Sequence, residues 1–401
     1  MDKRVVRVGV IGIGGRATEL MKTLWAVKGV AIPVLCDLIP ERMEHGADIL
    51  VEQGAPRPEL TTDYREVLAR EDVDGVIVAT SWNEHAEIAI AAMKAGKPVG
   101  FEVGGASSLD QCWELVKTWE ATRTPCMMLE NCCYGRYELA VLNMIRDGLF
   151  GEVVHCEGGY RHNLSVDAPR GLRTGNQRAY HHLYRNAELY PTHEIGPISK
   201  YLDINRGNRF LTLTSTASKP VGLNKYVEEH LETDPALYHR FALGDVVTTV
   251  LKCARGETVV IFHDTSLPRP YSRGNCVQGT NGIWAEINKS IYIEGRSPAH
   301  KWEPIEEYLK EYEHPIWKEF QEKGVQGGHD GMDYLMLSAF VDSVRNGTQF
   351  PIDIYDSAVW FAITCLSEQS ISLGSAPVAV PDFTNGKWVY REPPFQGKYA
   401  L

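Results

Sequence analysis

The chain of 401 residues carries a formal net charge of −11, from 52 Asp and Glu against 41 Lys and Arg, with 44% apolar residues. Its length exceeds what one core usually serves and points to two domains, while its acidity weighs against nucleic acid or an anionic membrane as partner, since Lys and Arg supply such binding. The nine Cys include no paired Cys-x-x-Cys spacing. They read as free thiols rather than as a disulfide frame or zinc site, so no metal is expected. The N-terminal residues run directly into an apolar strand, with no signal-peptide core and no membrane-length apolar run, and the expected location is the cytoplasm.

A β-branched run over residues 5–11 is followed by Gly12-Ile13-Gly14-Gly15-Arg16-Ala17 and a helix-like segment over 19–24. Strand, Gly-rich turn and helix is the context of a dinucleotide site. Gly12 makes the tight turn, Gly14 lets backbone N–H groups approach a pyrophosphate, and Ala17 keeps helix and strand close; Gly15 and Arg16 complete the cofactor-facing set. A second strand over 31–36 ends at Asp37, about 20 residues past the glycines, where an acid accepts ribose hydroxyls and repels a 2′-phosphate. That favours NAD over NADP; the alternative is a mere turn residue. The strand over 75–80 delivers Trp82 and His85, and the strand over 98–101, after a helix over 86–95 capped by Gly96, delivers Glu102. Ligands of open α/β sheets lie at the carboxyl ends of strands, which puts Trp82, His85 and Glu102 against the cofactor. A further strand over 126–129 closes with Glu130 and Asn131, the latter joining the cofactor set, and a helix over 137–148 follows. The boundaries expected are 1–131 for an NAD-binding doubly wound parallel sheet, 132–376 for an α+β substrate domain with a large, mostly antiparallel open sheet, and 377–401 for an irregular surface tail.

In the second part, a strand beginning near residue 151 ends in Tyr160, Arg161 and His162, residues that more often serve structure than chemistry when alone. Residues 163–184 are polar and basic and read as a long irregular loop, either functional or solvated. Residues 184–197 combine phenols, an imidazole, a guanidinium and two carboxylates before a helical run ending near 201. This reads as a loop positioned for chemistry by a scaffold, or as an ordinary loop and helix cap. Strands are expected over 210–216, 246–253, 258–263, 277–282 and 290–295, and helices over 334–346 and 356–373 with Asp333 and Asp356 as caps.

The order of Gly-rich turn, Asp37, Thr80 through His85, Gly96-Lys97-Pro98 and Glu102 resembles the Gfo/Idh/MocA oxidoreductase superfamily. Many of its dehydrogenases carry Glu-Lys-Pro, the Lys acting at the substrate hydroxyl, where this chain has Glu102-Val103-Gly104. A narrower similarity, to glycoside hydrolase family 109, rests on Gly159-Tyr160-Arg161-His162, Arg185-Asn186 with Leu189-Tyr190-Pro191-Thr192-His193, Asn205 to Arg209, His263-Asp264-Thr265 with Pro268 to Arg273, Val277 to Thr280, Gly331-Met332-Asp333 and Pro381-Asp382-Phe383-Thr384. The match runs nearly end to end. Departures are Asn186-Ala187-Glu188 for Asn-Gly-Asp, His329-Asp330-Gly331 for His-Gly-Gly, Gly104 for Pro, a shorter segment over 163–184, and no export signal.

The resemblance implies an NAD-dependent glycosidase of the α-N-acetylgalactosaminidase type. NAD+ would take hydride from C3 of the sugar, a base would remove the acidified C2 proton, the aglycone would leave by elimination, and water addition and re-reduction would follow. No flanking carboxylate pair is needed. His193 would accept the C3 hydroxyl proton and Tyr160 the C2 proton, aided by Arg178; Arg178, Tyr190 and Tyr271 would line the sugar site, with Tyr190 between substrate and nicotinamide. A small glycoside is the expected partner, together with homo-oligomerisation. The competing readings are a sugar dehydrogenase or epimerase, and a sugar sensor without turnover.

Overall fold

The β-branched run after the N-terminus forms β1 (Val6–Ile11), and the first sheet continues with β2 (Val30–Ala31), β3 (Val34–Cys36), β4 (Glu59–Thr61), β5 (Gly75–Val78), β6 (Val99–Phe101) and β7 (Cys126–Met128). All seven strands are parallel, in the order β4-β3-β1-β5-β6-β7 with β2 beside β1. The central strands are buried on both faces, as helical crossovers on either side require. Strand order reverses at β1 and β5, so a crevice opens at their carboxyl ends. In this computed structural model, which describes residues 4–104, 107–231, 240–324, 327–393 and 397–401, the single strand expected over 31–36 is broken into β2 and β3. Pro33 stands at the break, where its missing N–H cannot join a ladder.

The second sheet contains β8 (Val153–Arg161), β9 (Phe210–Ala217), β10 (Val246–Cys253), β11 (Thr258–Asp264), β12 (Cys276–Gly279), β13 (Gly282–Ala285), β14 (Ser290–Ile293), β15 (Glu303–Pro304) and β16 (Val378–Ala379). Its nine strands run β15-β14-β13-β12-β8-β11-β10-β9-β16, antiparallel except for β8 and β11. Alternation along β10 and β11 turns Val247, Leu251, Val259 and Ile261 inward, and the helices Thr192–Tyr201 and Ile354–Ser372 pack on that face. The tail is less irregular than its prolines suggest. Val378–Ala379 pairs with β9, and buried Phe383 packs on Trp113 at 4.7 Å between ring centroids.

Residues 163–184 are not a loop but two helices, Asp167–Thr174 and Gln177–Tyr184, separated by Gly175 and capped by the Asn176 side chain on Arg178 N–H. Their buried faces use Ala168, Leu172, Ala179, Leu183 and the imidazole of His182, and a histidine in a core position hides the apolar period. The stretch 184–197 is likewise an interior element: Ala187 to Tyr201 is buried throughout. Several of its polar groups are met from elements far along the chain, which composition alone does not reveal.

Two helices near the C-terminus tie the sheets together. Met332–Asn346 lies against the first sheet, where a Cβ on Gly75 or Gly100 would come within 3.5 or 3.2 Å of the Phe340 ring. Asp333 does not cap this helix; Gly331 does, at φ +94°. The helix Ile354–Ser372 is capped by Asp353, with Asp356 completing a capping box rather than serving as the cap. Asp356 also receives Lys200 at 2.7 Å and Arg206 at 2.8 Å, all three buried or nearly so. Asp356→Ala strands two cations in the core and is expected to cost about 3–5 kcal/mol, read as a fall in the urea midpoint of unfolding.

Candidate functional site

At the nucleotide end, Gly12 holds φ +86°, and a Cβ there would lie 2.6 Å from the Thr80 backbone nitrogen, so the turn demands glycine. The Asp37 carboxylate is buried beside it and accepts from Ile13 N–H at 2.6 Å and Ile39 N–H at 2.9 Å. The helix Gly15–Ala26 starts at the turn with Ala17 fully buried against the sheet. A Cβ on Gly14 or Gly15 would meet nothing within 4 Å, so an open space faces the helix N-terminus where a pyrophosphate sits.

A pocket of about 340 Å³ continues from there between the two sheets, lined by Arg16, Trp82, His85, Glu102, Asn131, Tyr160, Arg178, Tyr190 and His193 among others. Trp82 and His85 occupy the first turn of the helix Trp82–Lys94, one turn apart and therefore on one face. His85 Nε2 donates to the Thr80 carbonyl at 3.2 Å, leaving Nδ1 a buried acceptor without a partner among the described residues. Burial lowers its pKa to about 4, so the ring is neutral. An orphaned acceptor in a crevice behind an open glycine cradle fits the hydroxyl-rich, anionic chemistry of NAD.

The substrate side is built by the second sheet and the stretch that follows it. His193, in the first turn of Thr192–Tyr201, has Nδ1 2.8 Å from Glu130 Oε1. Burial pushes the Glu130 carboxyl up, but His193 and hydrogen bonds outweigh this and its pKa is lowered. An ionised carboxylate only accepts, so Nδ1 carries the hydrogen and Nε2 is the ring nitrogen left for other partners. Tyr160, at the end of β8, lies 4.5 Å from Tyr190 and 5.7 Å from His193 between ring centroids. Arg178 is buried with its guanidinium 5.4, 5.2 and 4.6 Å from the Trp82, Tyr160 and Tyr190 rings. Its Nε and Nη2 have no hydrogen-bond partner among the described residues. Burial works against this charge, and Tyr160 and Tyr190 more than offset it. Two unsatisfied donors on a buried cation call for acceptor oxygens from a ligand.

Tyr271 does not line the pocket and is 51% exposed; its ring meets those of Tyr160 and His162 at 6.1 and 5.3 Å. Its loop is anchored two residues on, where buried Arg273 pairs with Glu138 and lies 3.7 Å from Glu194. One helix turn thus offers His193 to the pocket and Glu194 to the Tyr271 loop. Arg16 reaches Asp333 with both terminal nitrogens, at 2.7 and 2.8 Å, and Glu102 with Nε at 3.1 Å. Asn131 donates to the same Asp333 carboxylate at 2.8 Å.

Sequence reasoning passed over His329, which lines the pocket, and Glu130 and Asp333, which hold lining residues from behind. Glu130 directly follows a strand, at the edge where ligands gather, and that placement was signal enough. Asp333 looked like a helix cap, and His329 had no pattern to mark it. Val103 occupies the place of the dehydrogenase lysine, is buried, and lines the pocket.

The fold and site define a two-part pyridine-nucleotide enzyme with a polar, sugar-sized pocket at the nicotinamide end. A family model described as "Oxidoreductase family, NAD-binding Rossmann fold" matches residues 6–129, and one described as "Glycosyl hydrolase 109, C-terminal domain" matches residues 134–390. A glycosyl hydrolase family 109 protein of Stenotrophomonas maltophilia is 44% identical, over 99% of this chain and 93% of that protein. An alpha-N-acetylgalactosaminidase of Tannerella forsythia is 40% identical, over 98% and 89%. A levoglucosan dehydrogenase solved with NADH and levoglucosan shares the fold at a TM-score of 0.72 and 18% identity, covering 94% of this chain and 100% of that one. The chain belongs to glycosyl hydrolase family 109, and it is a glycosidase that uses NAD.

Two outcomes follow from this geometry. Asp37→Ala should weaken NAD binding about tenfold to a hundredfold, the value of charge-assisted hydrogen bonds, and narrow the discrimination against NADP, read by titration of both nucleotides. Buried Glu188 has one unpartnered oxygen, its other accepting Tyr190 N–H at 3.2 Å, and burial raises its pKa to about 8. Between about 4.5 and about 8 the folded chain therefore binds more protons than the unfolded one, so this group's contribution to stability falls as pH rises through that window. Glu188→Gln removes that slope: its stability relative to the parent should rise from pH 5 to pH 8, at most about 1.4 kcal/mol per pH unit, and level off above.

Proposed function

We propose that the enzyme hydrolyses N-acetylgalactosaminides or related hexosaminides by transient oxidation at C3, loss of the C2 proton, elimination of the aglycone, water addition and re-reduction, with no net redox change. The observation that carries this reading is His193, its Nδ1 tied to ionised Glu130, beside Tyr160 and a buried Arg178 whose Nε and Nη2 have no partner among the described residues. When bound, NAD+ would supply the reversible hydride chemistry at C3. The residues that would hold it are Gly12, Gly14, Gly15, Arg16, Asp37, Trp82, His85, Glu102 and Asn131.

On the protein's side, His193 Nε2 takes the proton of the C3 hydroxyl, and the Glu130 carboxylate stabilises the resulting imidazolium. Tyr160 Oη takes the C2 proton. The donors of Arg178 bind the substrate's carbonyl oxygens, Tyr190 packs against the reacting ring, and Tyr271 covers the entrance. A flanking pair of carboxylates, the usual requirement for glycoside hydrolysis, has no part in this scheme. The relative from Tannerella forsythia bears the alpha-N-acetylgalactosaminidase name, and the sugar assigned here follows it.

The division of labour we infer is residues 1–131 for NAD, 132–376 for substrate and 377–401 as a strap. A cytoplasmic location is supported by nine unbridged cysteines, suited to a reducing compartment. Among the described residues no helix is long and apolar enough to cross a membrane. A homo-oligomer is supported by the sheet face opposite the helices, where the register sets Val250 beside Val260 and Ile283 beside Tyr292, all accessible to solvent. Turnover of a p-nitrophenyl N-acetylgalactosaminide in deuterated water should give sugar carrying deuterium at C2. Product with only hydrogen there sinks the elimination route, and accumulation of NADH would make the enzyme a dehydrogenase instead.

A further inference from the structure

Tyr160 and His162 stand two residues apart at the end of β8, so their side chains share one face. Tyr160 Oη lies 2.9 Å from His162 Nδ1. The residue is held from two further sides. The His162 backbone N–H donates to the Asp264 carbonyl at 2.9 Å, which anchors its main chain, and the Tyr271 ring meets the imidazole edge-on at 5.3 Å. With the phenol donating, Nδ1 is the acceptor and the ring's own hydrogen sits on Nε2. The ring is only half-buried, so the imidazole adjoins both the pocket's phenol and solvent.

We propose that His162 is the proton acceptor that lets Tyr160 act as a base, a Tyr160 to His162 relay from the sugar's C2 toward solvent. The proposal rests on Tyr160 working at C2. A free phenol has a pKa of about 10 and is ionised to roughly one part in a thousand at neutral pH, so an isolated tyrosine is a poor base. The relay removes that limit. As the C2–H bond of the 3-keto sugar breaks, its proton passes to Tyr160 Oη while the phenolic proton passes to His162 Nδ1. The C2–H electron pair forms the C1–C2 double bond, and the C1–O pair leaves on the glycosidic oxygen, which takes a proton from solvent. The imidazolium then returns its extra proton to solvent, so protons and electrons balance.

The surroundings suit each partner. Tyr160 lies under the Arg178 guanidinium, 5.2 Å from its ring, which favours negative charge developing on the phenol oxygen. His162 faces Tyr160, Tyr271, the Arg178 charge and, on the other side, Asp167. Burial, then Arg178, lower its pKa, while Asp167 opposes them, so the ring is neutral and able to accept at neutral pH.

The test has two arms. In the protein without substrate, nitrogen-15 NMR should show His162 Nδ1 unprotonated, with a signal that shifts in Tyr160→Phe; a protonated Nδ1 overturns the relay without any variant having to turn over. In the holoenzyme with p-nitrophenyl N-acetylgalactosaminide, His162→Gln can accept the hydrogen bond but not the proton. It should lower kcat roughly a hundredfold or more with KM little changed, enlarge the isotope effect of C2-deuterated substrate, and abolish the acid limb of the pH profile. A variant that loses kcat and KM together with an unchanged profile marks a structural role and overturns the relay. Tyr160→Phe separates the two ideas. Continued C2 exchange in that variant defeats Tyr160 as base and the relay with it, whereas lost exchange there and full exchange in His162→Gln defeats the relay alone.

Discussion

The carboxylate of Asp333 is the constraint on which the pocket depends. It has no exposure, and it takes both terminal nitrogens of Arg16, the amide of Asn131 and His329 Nδ1 at 2.8 Å. Arg16 directly follows the cradle glycines and Asn131 directly follows Glu130, so one second-domain side chain fixes the nucleotide turn and the support of His193 together. Burial works against the charge, but Arg16 and His329 hold the carboxyl well below the usual carboxylate range. A charge so enclosed is tolerated because every partner is in place, and removing one leaves the others desolvated and unpaired. The backbone before it is shaped to the task. His329 and Asp330 both adopt left-handed conformations, at φ +50° and +53°. Asp is among the few residues other than Gly that tolerate this conformation.

How much of this was legible in the sequence depends on where the information lies. The parallel sheet could be read because β-branched runs, glycines and Asp37 occur in an order fixed by local chemistry. The second sheet could be read from alternation. Residues 163–184 could not, because two eight-residue helices bury His181 and His182 in positions where a pattern reader looks for Leu. The stretch 184–197 was marked as chemical, yet its burial was hidden, since Arg185, Glu188 and Glu194 meet Glu368, Ser367, Asn275 and Arg273 from far along the chain. Long-range polar satisfaction leaves no local trace, and the roles of Glu130 and Asp333 belong to the same class.

Charge in the pocket is partitioned with some economy. The carboxylates Glu102, Glu130 and Asp333 gather on the cofactor side, where Arg16 and His193 meet them. Arg178 stands apart from these carboxylates, among the rings of Trp82, Tyr160 and Tyr190, with Asp167 a more distant charge. The aromatic faces stabilise the cation by about a kilocalorie each without consuming its N–H donors. A salt bridge would have satisfied those donors and left nothing for a ligand. The cage therefore keeps a buried guanidinium charged and unspent, which is the state a substrate rich in oxygen acceptors requires.

The departures at Val103 and Gly104 fit that partition. Lysine at residue 103 would bring an amine to the pocket from the first domain; valine brings only a buried apolar wall. Gly104 has no side chain to oppose the Trp82 indole, and any Cβ there would collide with that ring. The indole consequently sits 5.7 Å from Tyr190 and 5.1 Å from His181, closing the seam between the two halves with aromatic contact instead of a titrating group. In the proposed scheme, proton transfer then falls to groups borne by the second sheet and the helix that follows it. Because nucleotide and proton acceptors arise from different halves of the chain, their alignment is set by the contacts that join those halves, Asp333 with Arg16 and Glu130 with His193. A residue at that seam can govern the reaction without touching the sugar.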